Sequence, residues 1–212
     1  MPAFDPGCER CPRLAAHLRT IRSDYPGYHA RPVPPFGPKN PRLLIVGLAP
    51  GMHGANASGR PFTGDFAGIL LYNTLYKFGF SNQANSTDRK DGLKLINCRI
   101  TNAVKCLPPE NKPTGKEIST CNDYLRTELH GLRGGSLILA LGRIAHTAVI
   151  KAFDLKLSQF PFGHGIQYRL NEEIRLIDSY HCSRYNTQTR RLTEEMFVNL
   201  FKKIHEISQI TY

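Results

Sequence analysis

Apolar residues along this chain follow two rhythms. Short continuous runs at Leu43-Leu44-Ile45-Val46, Ser136-Leu137-Ile138-Leu139-Ala140-Leu141 and Ile174-Arg175-Leu176-Ile177 read as buried strands, the first two over about 42–48 and 136–141 and the last ending at Ser179-Tyr180-His181. Residues 93–96 and 100–104 read as further extended segments. Between these runs apolar positions recur at helical spacing. A helix is expected over 8–22, with Leu14, Leu18 and Ile21 on one face, and another over 66–78, stopped by Gly79. Thr114-Gly115-Lys116-Glu117 is a capping box, in which hydroxyl and carboxylate each satisfy an amide left free at a helix start. The helix after it places Ile118, Cys121, Leu125 and Leu129 on one side. A shorter helix runs from Gly142 to about Lys151. Thr193 can cap a last one, whose Met196, Phe197, Leu200, Phe201, Ile204 and Ile207 form a single apolar stripe. Residues 23–41 hold six prolines and read as an extended connection, and 81–91 and 154–173 read as irregular. Strands alternating with helices predict an α/β domain of three layers around a mostly parallel sheet, one domain over residues 1–212.

The loop after the first strand carries five glycines from Gly47 to Gly64, together with His53, Asn56, Arg60 and, at its end, Asp65. Strand, glycine-rich loop and helix in succession build a site at the carboxyl edge of a parallel sheet. The loop is too long for a dinucleotide fingerprint and holds no phosphate-binding GxxxxGK[ST]. Two other polar groups fall near strand ends, Thr101-Asn102 and His181 to Arg191, and a parallel sheet gathers all three at one edge. Each residue has an ordinary reading. Asp65 can cap its helix, His181 can be a satisfied surface or core residue, Asn102 can close a turn, and Phe62 can be core. Taken together, Asp65, His181 and Asn102 are an acid/base pair with an amide, suited to holding a planar polar heterocycle and activating water.

Charge narrows the partner. Lys and Arg number 28 against 17 Asp and Glu, a formal charge of +11, which points to a polyanion, most simply nucleic acid. The segment from His181 to Arg191 supplies groups that contact phosphates, with Ser183, Arg184, Tyr185, Asn186, Arg190 and Arg191 as candidates; its ordinary reading is a polar loop before a helix. No apolar run approaches a membrane span, and no apolar signal region opens the chain. The expected setting is therefore cytoplasmic, at the nucleoid, with thiols kept reduced. Six cysteines in that setting call for metal or chemistry. Cys8-Glu9-Arg10-Cys11 is a tight pair, whereas Cys106 and Cys121 have fourteen residues between them. Zinc sites favour two tight pairs, so the pattern favours an iron–sulfur cluster on Cys8, Cys11, Cys106 and Cys121 that staples the N-terminal helix to residues 106–121.

Four blocks, in order, resemble the type 5 branch of the uracil-DNA glycosylase superfamily. They are Tyr28-His29-Ala30-Arg31-Pro32-Val33-Pro34; Gly47-Leu48-Ala49-Pro50 through Gly59-Arg60-Pro61-Phe62-Thr63-Gly64-Asp65; Cys98 to Pro113, with Thr101-Asn102-Ala103-Val104-Lys105-Cys106; and His181-x-Ser183-x-x-Asn186-Thr187-x-Thr189-x-Arg191. The resemblance implies an αβα sandwich around a four-stranded sheet, and a [4Fe–4S] cluster on a CxxC plus two later cysteines. It also implies a hydrolase that flips uracil out of duplex DNA and cuts its N-glycosidic bond, acting as a monomer, with a base range that extends toward hypoxanthine. By motif position, Phe62 stacks on the base, Asn102 hydrogen-bonds it beside Gly51, His181 stabilises charge on the leaving base, and Asp65 orients or activates water. Leu48 and Ala49 stand where other branches carry an acid or amide, which leaves Asp65 as the base. Met52 and Cys182 stand where a small residue and a proline are expected. The rival from another class is a non-catalytic iron–sulfur DNA-binding protein that keeps the fold.

Overall fold

The computed structural model describes residues 3–209. Its centre is a sheet of β1 (Leu43–Gly47), β2 (Cys98–Asn102), β3 (Leu137–Leu141), β4 (Gln167–Arg169) and β5 (Arg175–Ser179), in the order β2-β1-β3-β5-β4. Four strands are parallel, and β4 joins β5 antiparallel at one edge. The sheet thus has five strands where four are expected. The extra one lies inside 154–173, and it is three residues of exposed and half-exposed side chains, too short and too polar to show a period of two. Strands β1 and β3 are buried on both faces, which is why they read as unbroken apolar runs.

Helices α1 (Pro12–Asp24), α2 (Ala55–Ser58), α3 (Phe66–Lys77), α4 (Gly115–His130), α5 (Arg143–Ala152), α6 (Arg184–Gln188) and α7 (Glu194–Gln209) complete the described chain. Leu43 and Ile45 point into a core shared with α3 and α7, and Leu44 and Val46 into one shared with α4 and α5, so the three layers are present. A smaller third core seats α1 through Leu14, Leu18 and Ile21 against Val104, Leu107 and Tyr124. The capping box of α4 is formed, with Glu117 Oε2 accepting from the Thr114 amide at 2.7 Å.

Several boundaries differ from the sequence expectations. Helix α1 starts after the CxxC, with Cys11 as its N-cap and Pro12 in the first position, where a missing N–H leaves no bond unmade. Residues 93–96 form no strand and make one isolated bridge, Ser81 to Leu95. Strand β2 begins at Cys98 and ends at Asn102, because Ala103 and Val104 leave the ladder to donate to the carbonyls of Gly47 and Leu48. The last parallel strand, by contrast, ends at Ser179, within the expected end at Ser179-Tyr180-His181. Among the described residues no helix is long and apolar enough to cross a membrane.

Register aligns the strand ends at one edge. Gly47 pairs with Asn102 at the carboxyl ends of β1 and β2, and Leu141 with Ser179 at those of β3 and β5. Chain order reverses direction across β1, with β2 on one side and β3 on the other, the place where open α/β sheets leave a crevice.

Candidate active site and four-cysteine centre

A cavity of about 470 Å³ opens at that crevice. The glycine-rich loop, the end of β2 and the segment after β5 line it, contributing Gly51, Phe62 and Asp65, then Asn102, then His181, Ser183 and Arg184. Residues from three distant stretches of the sequence thus share one wall.

Asp65 is the N-cap of α3, and its Oδ1 accepts from the Gly68 amide at 2.8 Å. Burial raises its pKa above the ordinary aspartate value, and amide bonds from Gly68 and Ala67 pull it partly back. The loop fits closely around the carboxylate. A Cβ on Gly54 would lie 2.7 Å from Asp65 Oδ2.

Phe62 is buried and holds a left-handed backbone, φ 53°, a conformation that costs a bulky residue energy unless its surroundings enforce it. Two residues before it, Arg60 is anchored. Its guanidinium, 5 % exposed, binds both carboxylate oxygens of Asp91 at 2.9 and 2.5 Å, Ser86 Oγ at 2.6 Å and Thr63 Oγ1 at 2.8 Å. The Asp91 carboxyl is held well below the usual range, chiefly by Arg60. Arg60 is therefore a brace of the loop. The Phe62 ring packs near the His181 imidazole, centroids 5.9 Å apart and planes 27° apart.

Asn102 is buried, and its side-chain Oδ1 has no hydrogen-bond partner. An orphaned buried acceptor costs on the order of 1–3 kcal/mol, a penalty that a ligand donor removes. Only glycine fits at position 47, where a Cβ would sit 2.4 Å from that oxygen and 2.9 Å from the Phe62 ring. Burial lowers the His181 pKa to about 4, so its imidazole is neutral at pH 7.

A sequence model of the Uracil DNA glycosylase superfamily matches residues 34–205. This chain belongs to the uracil-DNA glycosylase superfamily. The type-5 uracil-DNA glycosylase of Thermus thermophilus is 43% identical over 208 residues, covering 95% of this chain and 94% of that protein. The type-5 enzyme of Pyrobaculum aerophilum is 39% identical, covering 92% and 87%. The type-4 enzyme of Archaeoglobus fulgidus is 33% identical, covering 82% and 81%.

In this superfamily member the segment after His181 is partly helical. Ser183 caps α6 by accepting from the Asn186 amide. The Arg184 guanidinium lies over the Phe66 ring, 5.2 Å from its centroid, at the cavity wall. Tyr185 is 70% exposed, Arg190 is exposed, and Arg191 lies 4.8 Å over the ring of Tyr180. The Nδ2 of Asn186 donates to the His181 carbonyl at 2.8 Å and so helps hold the histidine's backbone.

Sequence reasoning missed Phe66 and Asn111, which also line the cavity, and the internal role of Lys105. Asn111 sits at φ 57°, a conformation asparagine tolerates better than most residues, but a Pro-rich loop gives no sign of where it points. A lysine between Val104 and Cys106 was the one available signal for Lys105.

Cys8, Cys11, Cys106 and Cys121 line one small cavity between α1, the segment after β2 and α4. Cys98 lies in the core shared with α3 and α7, and Cys182 is buried there too. Burial raises the thiol pKa of Cys11, Cys106 and Cys121, and neighbouring thiolates raise all three further, while Lys105 draws that of Cys121 partly back. Thiols that resist ionisation side by side are the donor set a cationic centre stabilises. Among the described residues no three His, Cys, Asp or Glu side chains converge tightly enough to hold a single metal ion.

Proposed function

We propose that the cavity receives a uracil flipped out of duplex DNA and that the protein hydrolyses its N-glycosidic bond, leaving free uracil and an abasic site. The observation that carries this reading is the convergence of Asp65, Asn102, Phe62 and His181 on one cavity in a chain of this family. Asp65, ionised above its raised pKa, accepts a proton from a water whose oxygen bonds to C1′. The C1′–N1 bond breaks with its electron pair passing to uracil. A neutral His181 cannot hand over a proton from an imidazolium; it donates an N–H hydrogen bond to the oxygen on which charge develops, the kind of fixed donor that contributes most to such reactions. Asn102 pairs with the base edge through its open Oδ1, and Phe62 provides the platform.

Arg184, Tyr185, Arg190 and Arg191, with Ser183 at the rim, engage the DNA backbone around the extruded nucleotide, consistent with the formal charge of +11. Extrusion costs least at a mispair, so uracil opposite guanine is the preferred target, and hypoxanthine lies within the range. The protein acts as a monomer. Cys8, Cys11, Cys106 and Cys121, four thiols that line one cavity, would hold a [4Fe–4S] cluster. When bound, the cluster supplies a covalent cross-link and takes no part in hydrolysis. A panel of duplexes carrying uracil, hypoxanthine or thymine opposite each normal base tests the reading. Release of uracil, fastest from mispairs, is the expected result; binding to all with release from none overturns it.

A further inference from the structure

Lys105 is 1 % exposed, and a buried ammonium needs every donor matched. Its Nζ donates to Thr101 Oγ1 at 2.5 Å, to the backbone carbonyl of Asn102 at 2.9 Å and to Glu128 Oε1 at 2.6 Å. Three donors meet three acceptors. Its backbone N–H donates to Cys121 Sγ at 3.3 Å. Cys121 and Glu128 both belong to α4 and are seven residues apart, two turns along one face. Helix α4 therefore grips residue 105 at both ends, by the main chain through a cysteine and by the side chain through a carboxylate.

On its other side, Lys105 grips the base pocket. The Oδ1 of Asn102 makes no hydrogen bond, so the direction of this amide depends on its backbone and on packing beside Gly47 and Phe62. The Lys105 ammonium holds that backbone at the carbonyl. A buried ion pair is weak evidence for stability, since apolar replacements of similar shape often serve as well. The contribution of a lysine here is placement.

We infer that Lys105 is a positioning residue, which aims the Asn102 amide by fastening the Asn102 carbonyl to α4, the helix that carries Cys121. The Lys105 side chain thereby adds a link between the base pocket and α4 to the main chain that already joins Asn102 to Cys106. The inference rests on the reading of Asn102 as the base-contacting residue.

The test uses the full-length protein as purified and two duplexes. One carries 2′-fluoro-2′-deoxyuridine, a uracil nucleotide whose glycosidic bond resists hydrolysis; the other carries a tetrahydrofuran abasic analogue. Lys105→Met combined with Glu128→Gln removes the ammonium without leaving an unpaired carboxylate. The expected result is a loss of about tenfold in affinity for the fluorouridine duplex with the abasic duplex unchanged, the size of one well-made hydrogen bond. Adding Asn102→Ala to that pair should give no further loss, because the residues act as a unit. Equal losses on both duplexes, or losses that simply add, overturn the inference. Asn102→Ala alone separates the two ideas. If it leaves the preference for fluorouridine intact, the reading of Asn102 fails and the link falls with it; if it abolishes the preference while the Lys105 variant does not, only the link fails. Thr101→Val, an isosteric change that removes one acceptor of Lys105 and one donor to Glu128, provides a milder lesion should the paired variant not fold, and the same selective loss, smaller in size, is expected; no selective loss overturns the inference.

Discussion

Asp65 Oδ1 accepts a hydrogen bond from the Gly68 amide at 2.8 Å. That bond gives the carboxylate two tasks at once. One oxygen closes the first turn of α3, and the carboxyl group is thereby fixed at the wall of the cavity with its other oxygen against Gly54. Capping occupies Oδ1 and leaves Oδ2 for the proposed catalytic role, so two readings that look like rivals in the sequence are compatible.

Asp65→Asn separates them. Asparagine caps as well as aspartate does, so the melting temperature should barely change. Loss of the base should slow single-turnover release of uracil by a factor on the order of 10²–10⁴ with DNA binding retained. The wild-type rate should fall on acidification with a midpoint above the ordinary aspartate pKa, because burial raises this group, and the variant should lack that limb. Near wild-type cleavage by Asp65→Asn removes the residue from the mechanism.

Gly47→Ala probes the pocket without removing a polar group. The new methyl would stand 2.4 Å from Asn102 Oδ1 and 2.9 Å from the Phe62 ring. Displacing both by a fraction of their size should cost about 10²-fold in cleavage of uracil-containing DNA. Affinity for undamaged duplex should be unaltered. A variant that cleaves normally would show that neither Asn102 nor Phe62 needs its observed place.

His181 should leave a mark on stability. In the unfolded chain it protonates near 6.5, whereas burial holds the folded group neutral down to about 4. The stability owed to the neutral form is complete above pH 6.5 and is lost as pH falls toward 4. Between pH 7 and 5, denaturant unfolding of wild type should therefore lose more stability than that of His181→Gln, by at most about 2 kcal/mol. Parallel curves for the two proteins contradict the burial assigned to this ring.

Much of the fold was legible because it is written in long, regular signals. The runs in β1 and β3 sit between two cores, and α4 announces itself by a capping box and by Cys121, Leu125 and Leu129 on one face. The elements that escaped are short and set by their neighbours. Strand β4 exists because β5 offers an edge, and α6 is five residues turned by the Ser183 cap. In the site, Asp65, Phe62, Asn102 and His181 were recognisable as residues with chemistry at strand ends. Arg60 and Lys105 were given no role, and the inward contact of Asn186 was not foreseen, since a charged or amide side chain reads the same in sequence whether it meets a phosphate or braces a loop. Their roles depend on partners at Asp91, at the His181 carbonyl and at Glu128.

The cysteines make a compositional prediction. The purified protein should be brown and carry about four irons per chain. Cys106→Ser and Cys121→Ser should lose iron and melt at lower temperature, whereas Cys98→Ala, in the other core, should keep its iron. Zinc without iron in the wild-type protein contradicts the cluster.

One measurement tests glycosidic hydrolysis most directly: the appearance of free uracil when the protein is incubated, in excess, with a duplex holding a single uracil opposite guanine. Single-turnover release of the base, with an abasic site left in the strand, is the predicted result. Saturable binding of that duplex with the uracil still attached would contradict it.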